Sequence, residues 1–185
     1  MHRYVAFLRG MNVGGHRLSN AELCAGFVAM GFGEVAAFRA SGNVVFAADS
    51  ANAGADELAL QSRIEEGLAA TLGYAVPTFI RSAEEVVSIA ASQPFPSTRL
   101  EASAGKLQVA MLSQAPSVQA RREVLALSSE EDTLALVGRE LYWLPCGGIL
   151  DSALDLKRIG ALLGAMTTRT KGTVEQLASK HFSEG

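Results

Sequence analysis

Tyr4-Val-Ala-Phe-Leu-Arg-Gly-Met-Asn-Val-Gly-Gly15 sets the reading of the chain. Tyr4, Val5, Phe7 and Leu8 suit a buried strand over residues 3–9. Gly10, Gly14 and Gly15 then open a polar loop over 10–18. Ser19-Asn-Ala-Glu22 follows. It offers a hydroxyl to the free amides of a helix start and a carboxylate three residues on, the pattern of a capping box. Leu23, Phe27 and Met30 fall on one face of that helix, and Gly31 ends it.

Working outward, strand-like runs at 34–39 and 44–48 flank Ser41-Gly-Asn43, which predicts a hairpin. Small residues over 49–56 make a linker. Leu60, Ile64, Leu68 and Leu72 space a helix over 56–72 that Gly73 stops, and 76–81 returns as a strand. The order β-α-β-β-α-β is that of a ferredoxin-like unit. Ser82-Ala-Glu-Glu85 repeats the capping box and opens a helix to Ala91; Pro94 and Pro96 then break the chain, so 93–104 reads as a joint. Beyond it come a strand at 106–112, a helix with Val118, Arg122 and Leu125, and a hairpin of 134–137 and 141–144. A helix capped by Asp151 carries Leu156, Ile159 and Leu162 and stops at Gly164; a last helix capped by Thr170 carries Val174, Leu177 and Ala178. The expected fold is α+β, with two tandem ferredoxin-like halves at 1–92 and 105–185, each built on an antiparallel sheet.

The 185 residues are 49% hydrophobic, enough for a packed core. A net charge of -3 argues against a general nucleic-acid coat, whose affinity comes from Lys and Arg. Cys24 and Cys146 form no CxxC pair; Cys24 sits beside Leu23 as a core filler, and a reducing compartment fits. The run at 4–8 is too short for a signal peptide. No apolar run approaches the ~20 residues of a membrane span. A soluble cytoplasmic protein with no membrane partner is expected.

A strand leading through glycines to a capped helix presents backbone amides to an anion, and Arg9 and Arg17 add charge. Gly10-Met-Asn-Val-Gly-Gly15 matches neither G-x-G-x-x-G nor a P-loop, so the plain alternative is a turn with glycines at positive φ. Gly42 and Asn43 are ordinary hairpin residues. In a ferredoxin-like half, the end of the first strand and the start of the third share an edge. That would gather Arg9, Asn12, Ser41 and Asn43. Thr167-Thr-Arg169 could hold a phosphate or carboxylate at a helix start, against the alternative of a plain N-cap by Thr170. The candidate ligand set is therefore Arg9, Asn12, Gly14, Gly15, Ser41, Gly42, Asn43, Thr168 and Arg169.

The catalytic inventory is thin. His2, His16 and His181 have no ligand spacing, so no metal is expected, and no cofactor motif stands out. No Ser-His-Asp grouping or nucleophile elbow is present. Cys146 has no base near it in sequence and reads as a loop filler; Glu130-Glu-Asp132 reads as a solvated turn.

The opening stretch, with Ala21-Glu-Leu23, Met30-Gly-Phe32, Ser41-Gly-Asn-Val-Val-Phe46, Gln93-Pro-Phe95 and Gly138-Arg-Glu-Leu-Tyr142, resembles the domain-of-unknown-function family 1697 (DUF1697) over essentially the whole chain. The resemblance implies a bacterial α+β protein of two ferredoxin-like halves and supplies no reaction. Where the family commonly has Gly-Arg-Ser-Lys, this chain has Leu150-Asp-Ser-Ala153. Where the family has Thr-Thr-Arg-Asn-Trp-Asn-Thr, it has Thr167-Thr-Arg-Thr-Lys-Gly-Thr173.

The sequence favours a binding module for a small anion, a nucleotide or a nucleic-acid end at the glycine-rich loop. The alternative is an enzyme using the same loop, with His16 or Arg9 as its polar catalyst. Nucleic acid ranks lower, because aromatics are 6% of the chain and no RNP pattern is present. A structural role through the sheet face is a third class, and the oligomeric state is left open.

Overall fold

The computed structural model describes residues 1–11, 18–39, 42–49 and 57–182. It has eight strands and seven helices among these residues and divides into two compact units, Met1–Val87 with Lys180–Gly185, and Ser88–Ser179. The fold is α+β, with one four-stranded antiparallel sheet in each unit. None of the helices is long and apolar enough to cross a membrane among the described residues.

The first unit runs β1 (His2–Leu8), α1 (Asn20–Ala29), β2 (Gly33–Ala37), β3 (Asn43–Ala48), α2 (Glu57–Leu72) and β4 (Thr78–Ser82). Its sheet order is β2-β3-β1-β4. Ala6, Leu8, Val44, Phe46, Ala48 and Ile80 alternate onto one sheet face and pack with Leu23 and Phe27 of α1 and Leu60, Ile64 and Leu68 of α2. Phe46 lies 5.4 Å from Phe27 and 4.9 Å from Phe32 between ring centroids. Burying each such ring stabilises the fold by about 1.5–3 kcal/mol. The alternate residues Val5, Phe7, Val45 and Phe79 are buried as well, which is why β1 and β3 read as near-continuous apolar runs.

The start of α1 is as expected. Ser19 Oγ accepts from Glu22 N at 3.2 Å, and Glu22 Oε2 accepts from Ser19 N at 2.9 Å. The Ser19 hydroxyl and amide hold the Glu22 carboxyl below its ordinary pKa.

Helix α3 (Ala83–Ala91) carries the chain into the second unit, which continues through α4 (Ser97–Ala102), β5 (Gln108–Leu112), α5 (Val118–Leu125), β6 (Asp132–Val137), β7 (Glu140–Pro145), α6 (Leu156–Leu163) and β8 (Met166–Thr170). Helix α7 (Lys171–His181) closes the described chain. The second sheet has the order β6-β7-β5-β8. Ala110, Leu112, Leu134, Leu136, Leu141 and Trp143 meet Val124 of α5 and Ile159 of α6 in its core.

Three sequence expectations change here. Residues 93–104 fall inside the second unit and include α4, whose Arg99 donates to Thr133 Oγ1 at 2.7 Å while Ser103 Oγ donates to Pro145 O at 2.6 Å. Helix α6 is capped by Asp155, whose Oδ1 accepts from Arg158 N at 2.9 Å; Asp151 instead donates its amide to Gly148 in a turn. Thr167, Thr168 and Arg169 form a strand paired with β5, because β-branched threonines fit a pleated surface.

Both edge strands β4 and β8 pass into helices with no intervening loop, at Ser82–Ala83 and Thr170–Lys171. Each last strand residue is also the cap. Ser82 Oγ accepts from Glu85 N at 3.2 Å, and Thr170 Oγ1 accepts from Thr173 N at 3.3 Å.

Candidate functional site

The exit from β1 is pinned on both sides. Leu8 N donates to Gly42 O at 2.8 Å and Arg9 N donates to Pro77 O at 2.9 Å. In the sheet, Phe7 faces Asn43, so the end of β1 and the start of β3 share an edge. Tyr74 Oη donates to Met11 O at 3.0 Å and fixes the chain two residues further on.

Gly42 sits at φ 68°, and a Cβ there would lie 3.2 Å from Leu8 Cβ and 3.3 Å from Leu8 O. Only glycine suits this approach. Asn43 is 1% exposed; its Nδ2 donates to Phe38 O at 3.2 Å, and its own carbonyl accepts from Phe38 N at 2.8 Å. This closes the hairpin between β2 and β3. Arg9 has a different setting. It is exposed, and its guanidinium has no side-chain partner among the described residues. The structure thus sets Gly42 beside Leu8 and Asn43 opposite Phe7, at the end of β1 that leads to Arg9. Asn12, Gly14, Gly15 and Ser41, with His16 and Arg17, lie outside the described residues.

Thr168 and Arg169 belong to the second unit, on β8. Thr168 is exposed and Arg169 partly buried. Arg169 Nη1 turns back on its own strand, donating to Thr167 Oγ1 and Thr168 O, both at 2.9 Å. Desolvation lowers its pKa to about 10, and it stays a cation at neutral pH.

Sequence reasoning missed a buried carboxylate in this unit. Asp132, expected in a solvated turn, is 4% exposed. Its Oδ1 accepts from Trp143 Nε1 at 2.6 Å and from Ser152 Oγ at 2.8 Å. A buried tryptophan needs an acceptor, and the facing hairpin strand supplies it. Beside this group is a cavity of about 540 Å³ lined by Glu131, Asp132, Cys146, Asp151, Ser152 and Asp155. A second, of about 500 Å³, is bordered by Arg99, Ser103, Glu130, Thr133 and Cys146. The four carboxylates of the first cavity repel anions. The Cys146 thiol is free and exposed. No grouping of three His, Cys, Asp or Glu side chains able to hold a metal occurs among the described residues.

The sequence pattern of the family described as "Protein of unknown function (DUF1697)" matches residues 1–142. The chain belongs to this family. The DUF1697 match spans the Met1–Val87 part of the first unit and the second unit as far as Tyr142 in β7; the departures at Leu150–Ala153 and Thr167–Thr173 lie beyond it. Among solved structures, the chain is similar to the conserved bacterial protein SP0830 from Streptococcus pneumoniae, with a TM-score of 0.70 and 18% identity over 97% of this chain and 98% of that one. That likeness concerns the fold. No curated protein matches the chain.

Proposed function

We propose that this DUF1697 protein is a binding module for a small anion, a nucleotide or a nucleic-acid end, held where β1 leaves the first sheet. The observation that carries the reading is Arg9: an exposed cation without a side-chain partner among the described residues, on a main chain pinned to Gly42 and Pro77. A fixed backbone lowers the ordering cost of presenting that charge. In this reading Arg9 supplies charge, Asn12 and Ser41 hydrogen bonds, and Gly14 and Gly15 amides. Gly42 and Asn43 hold the turn between β2 and β3. Thr168 and Arg169 stand as a separate anion contact on β8, supported by the exposure of Thr168 and by the Arg169 cation held on its own strand by Thr167 Oγ1 and Thr168 O.

The fold part of the proposal is that each half is a ferredoxin-like unit and that the two are tandem versions of one design. The shared order, β2-β3-β1-β4 and β6-β7-β5-β8, supports it. So does register: Val5 lies between Val45 and Arg81, and Val109 lies between Tyr142 and Arg169. Arg81 and Arg169 thus occupy matching places one residue before a helix cap. A cytoplasmic setting goes with the two free thiols, Cys24 and Cys146.

Native mass spectrometry of the protein as purified, followed by calorimetric titration with inorganic phosphate and mononucleotides, tests the reading. Wild type is expected to retain or bind an anionic species, and Arg9→Ala to lose it at least about tenfold while melting unchanged. An Arg9→Ala protein that binds as wild type does would sink the proposal, as would a wild type that binds none of these probes.

A further inference from the structure

The C-terminal end of α7, from Lys180 on, belongs to the first unit and makes a set of contacts within it. Arg3 Nη1, from β1, donates to the His181 carbonyl at 2.7 Å. The same guanidinium lies 5.1 Å from the Phe182 ring centroid, and its Nε is 3.3 Å from Glu34 Oε2 on β2. The His181 ring meets Phe38 edge-on at 5.9 Å and Phe182 at 6.4 Å. Lys180 Nζ and the Arg39 guanidinium stand 5.9 Å and 5.7 Å from the centre of the Phe38 ring. Into this group His181 turns a buried Nε2 that has no hydrogen-bond partner among the described residues.

The charges acting on His181 are Lys180 from its own helix and Arg3 from β1; Arg39, two residues past β2, lies over the neighbouring Phe38 ring, and the carboxylate of Glu34 is engaged by Arg3. A neutral imidazole fits this setting. A protonated one would bring a buried N–H without an acceptor, and a further positive charge beside Lys180 and Arg3.

We propose that this cluster is a pH-released clasp: protonation of His181 loosens the C-terminal end of α7 from β1 and β2, and its deprotonation re-fastens it. Burial first, then Lys180 and Arg3, hold the pKa of His181 below the ordinary histidine value. The unfolded or released end therefore takes up the proton first. The clasp is at full strength above about pH 6.5 and weakens as the pH falls from there through the lowered pKa.

Hydrogen exchange of the full chain at about pH 7.5 and about pH 5.5, corrected for intrinsic exchange rates, tests this across the histidine range. In wild type, amides over 176–182 should lose protection several-fold at the lower pH, while β1 and β3 keep theirs. His181→Phe keeps an aromatic ring and cannot be protonated, so it should show no such loss. Its neutral counterpart His181→Gln should likewise be insensitive to pH. An NMR titration of the wild-type protein gives a reading independent of any variant: the His181 imidazole should titrate below the ordinary histidine value. The proposal is overturned by a wild-type end that stays protected at the lower pH, by equal losses in wild type and His181→Phe, or by His181 titrating at or above the ordinary histidine value.

Discussion

At Gly42 a single added methyl group would press on Leu8 Cβ and Leu8 O at 3.2 and 3.3 Å, on a backbone with φ 68°. Gly42→Ala is expected to cost about 1–3 kcal/mol, read as a lower midpoint in urea with an unchanged slope. Asp132 is the other residue on which much rests. Asp132→Ala would leave Trp143 Nε1 and Ser152 Oγ without their shared acceptor, a loss of about 1–3 kcal/mol. Trp143 is the chain's one tryptophan, so its fluorescence reports the change directly. Asp132→Asn, which keeps a side-chain oxygen, should recover most of it. Gly42 was legible in the sequence because the Gly-Asn pair announces a turn. Asp132 was not, because its partners lie 11 and 20 residues away and a Glu-Glu-Asp run looks solvated.

Local signals carried most of the elements. The capping boxes at Ser19 and Ser82 and the helix faces of α1 and α2 follow from patterns within four residues, and the structure has them. β8 was missed because Thr-Thr-Arg-Thr has no apolar alternation; its high threonine content was the available signal. At Asp151 and Asp155 two acids competed for one cap, and only the Asp155 contact with Arg158 N decides. Caps are cheap to test. Ser82→Ala and Thr170→Ala should each cost about 1 kcal/mol, visible as a lower thermal midpoint, with serine at 170 restoring the hydroxyl.

Each unit has its own core cluster, so damage should stay near its origin. Phe27→Ala removes a ring packed on Phe32 and Phe46, at about 3–5 kcal/mol. Exchange protection should fall most in β1, β3 and α2; a uniform fall across both sheets would contradict that picture. At this scale the α+β class was readable from periodicity, while the order of elements in the second unit was not, since α4 and β8 were not expected. The placement of 93–104 was not, since prolines mark a break without saying which unit takes the segment. The direct passage of β4 into α3 and of β8 into α7 leaves no slack between extended and helical backbone. A helix turns about 100° per residue, so one residue inserted after Thr170 would rotate α7 by that angle instead of merely lengthening the chain. Lys171, whose Nζ reaches Ala90 O at 2.8 Å and Glu175 at 2.5 Å, would be aimed elsewhere, and so would Val174 and Leu177. These two junctions act as indexing points: there, a change of length becomes a change of angle.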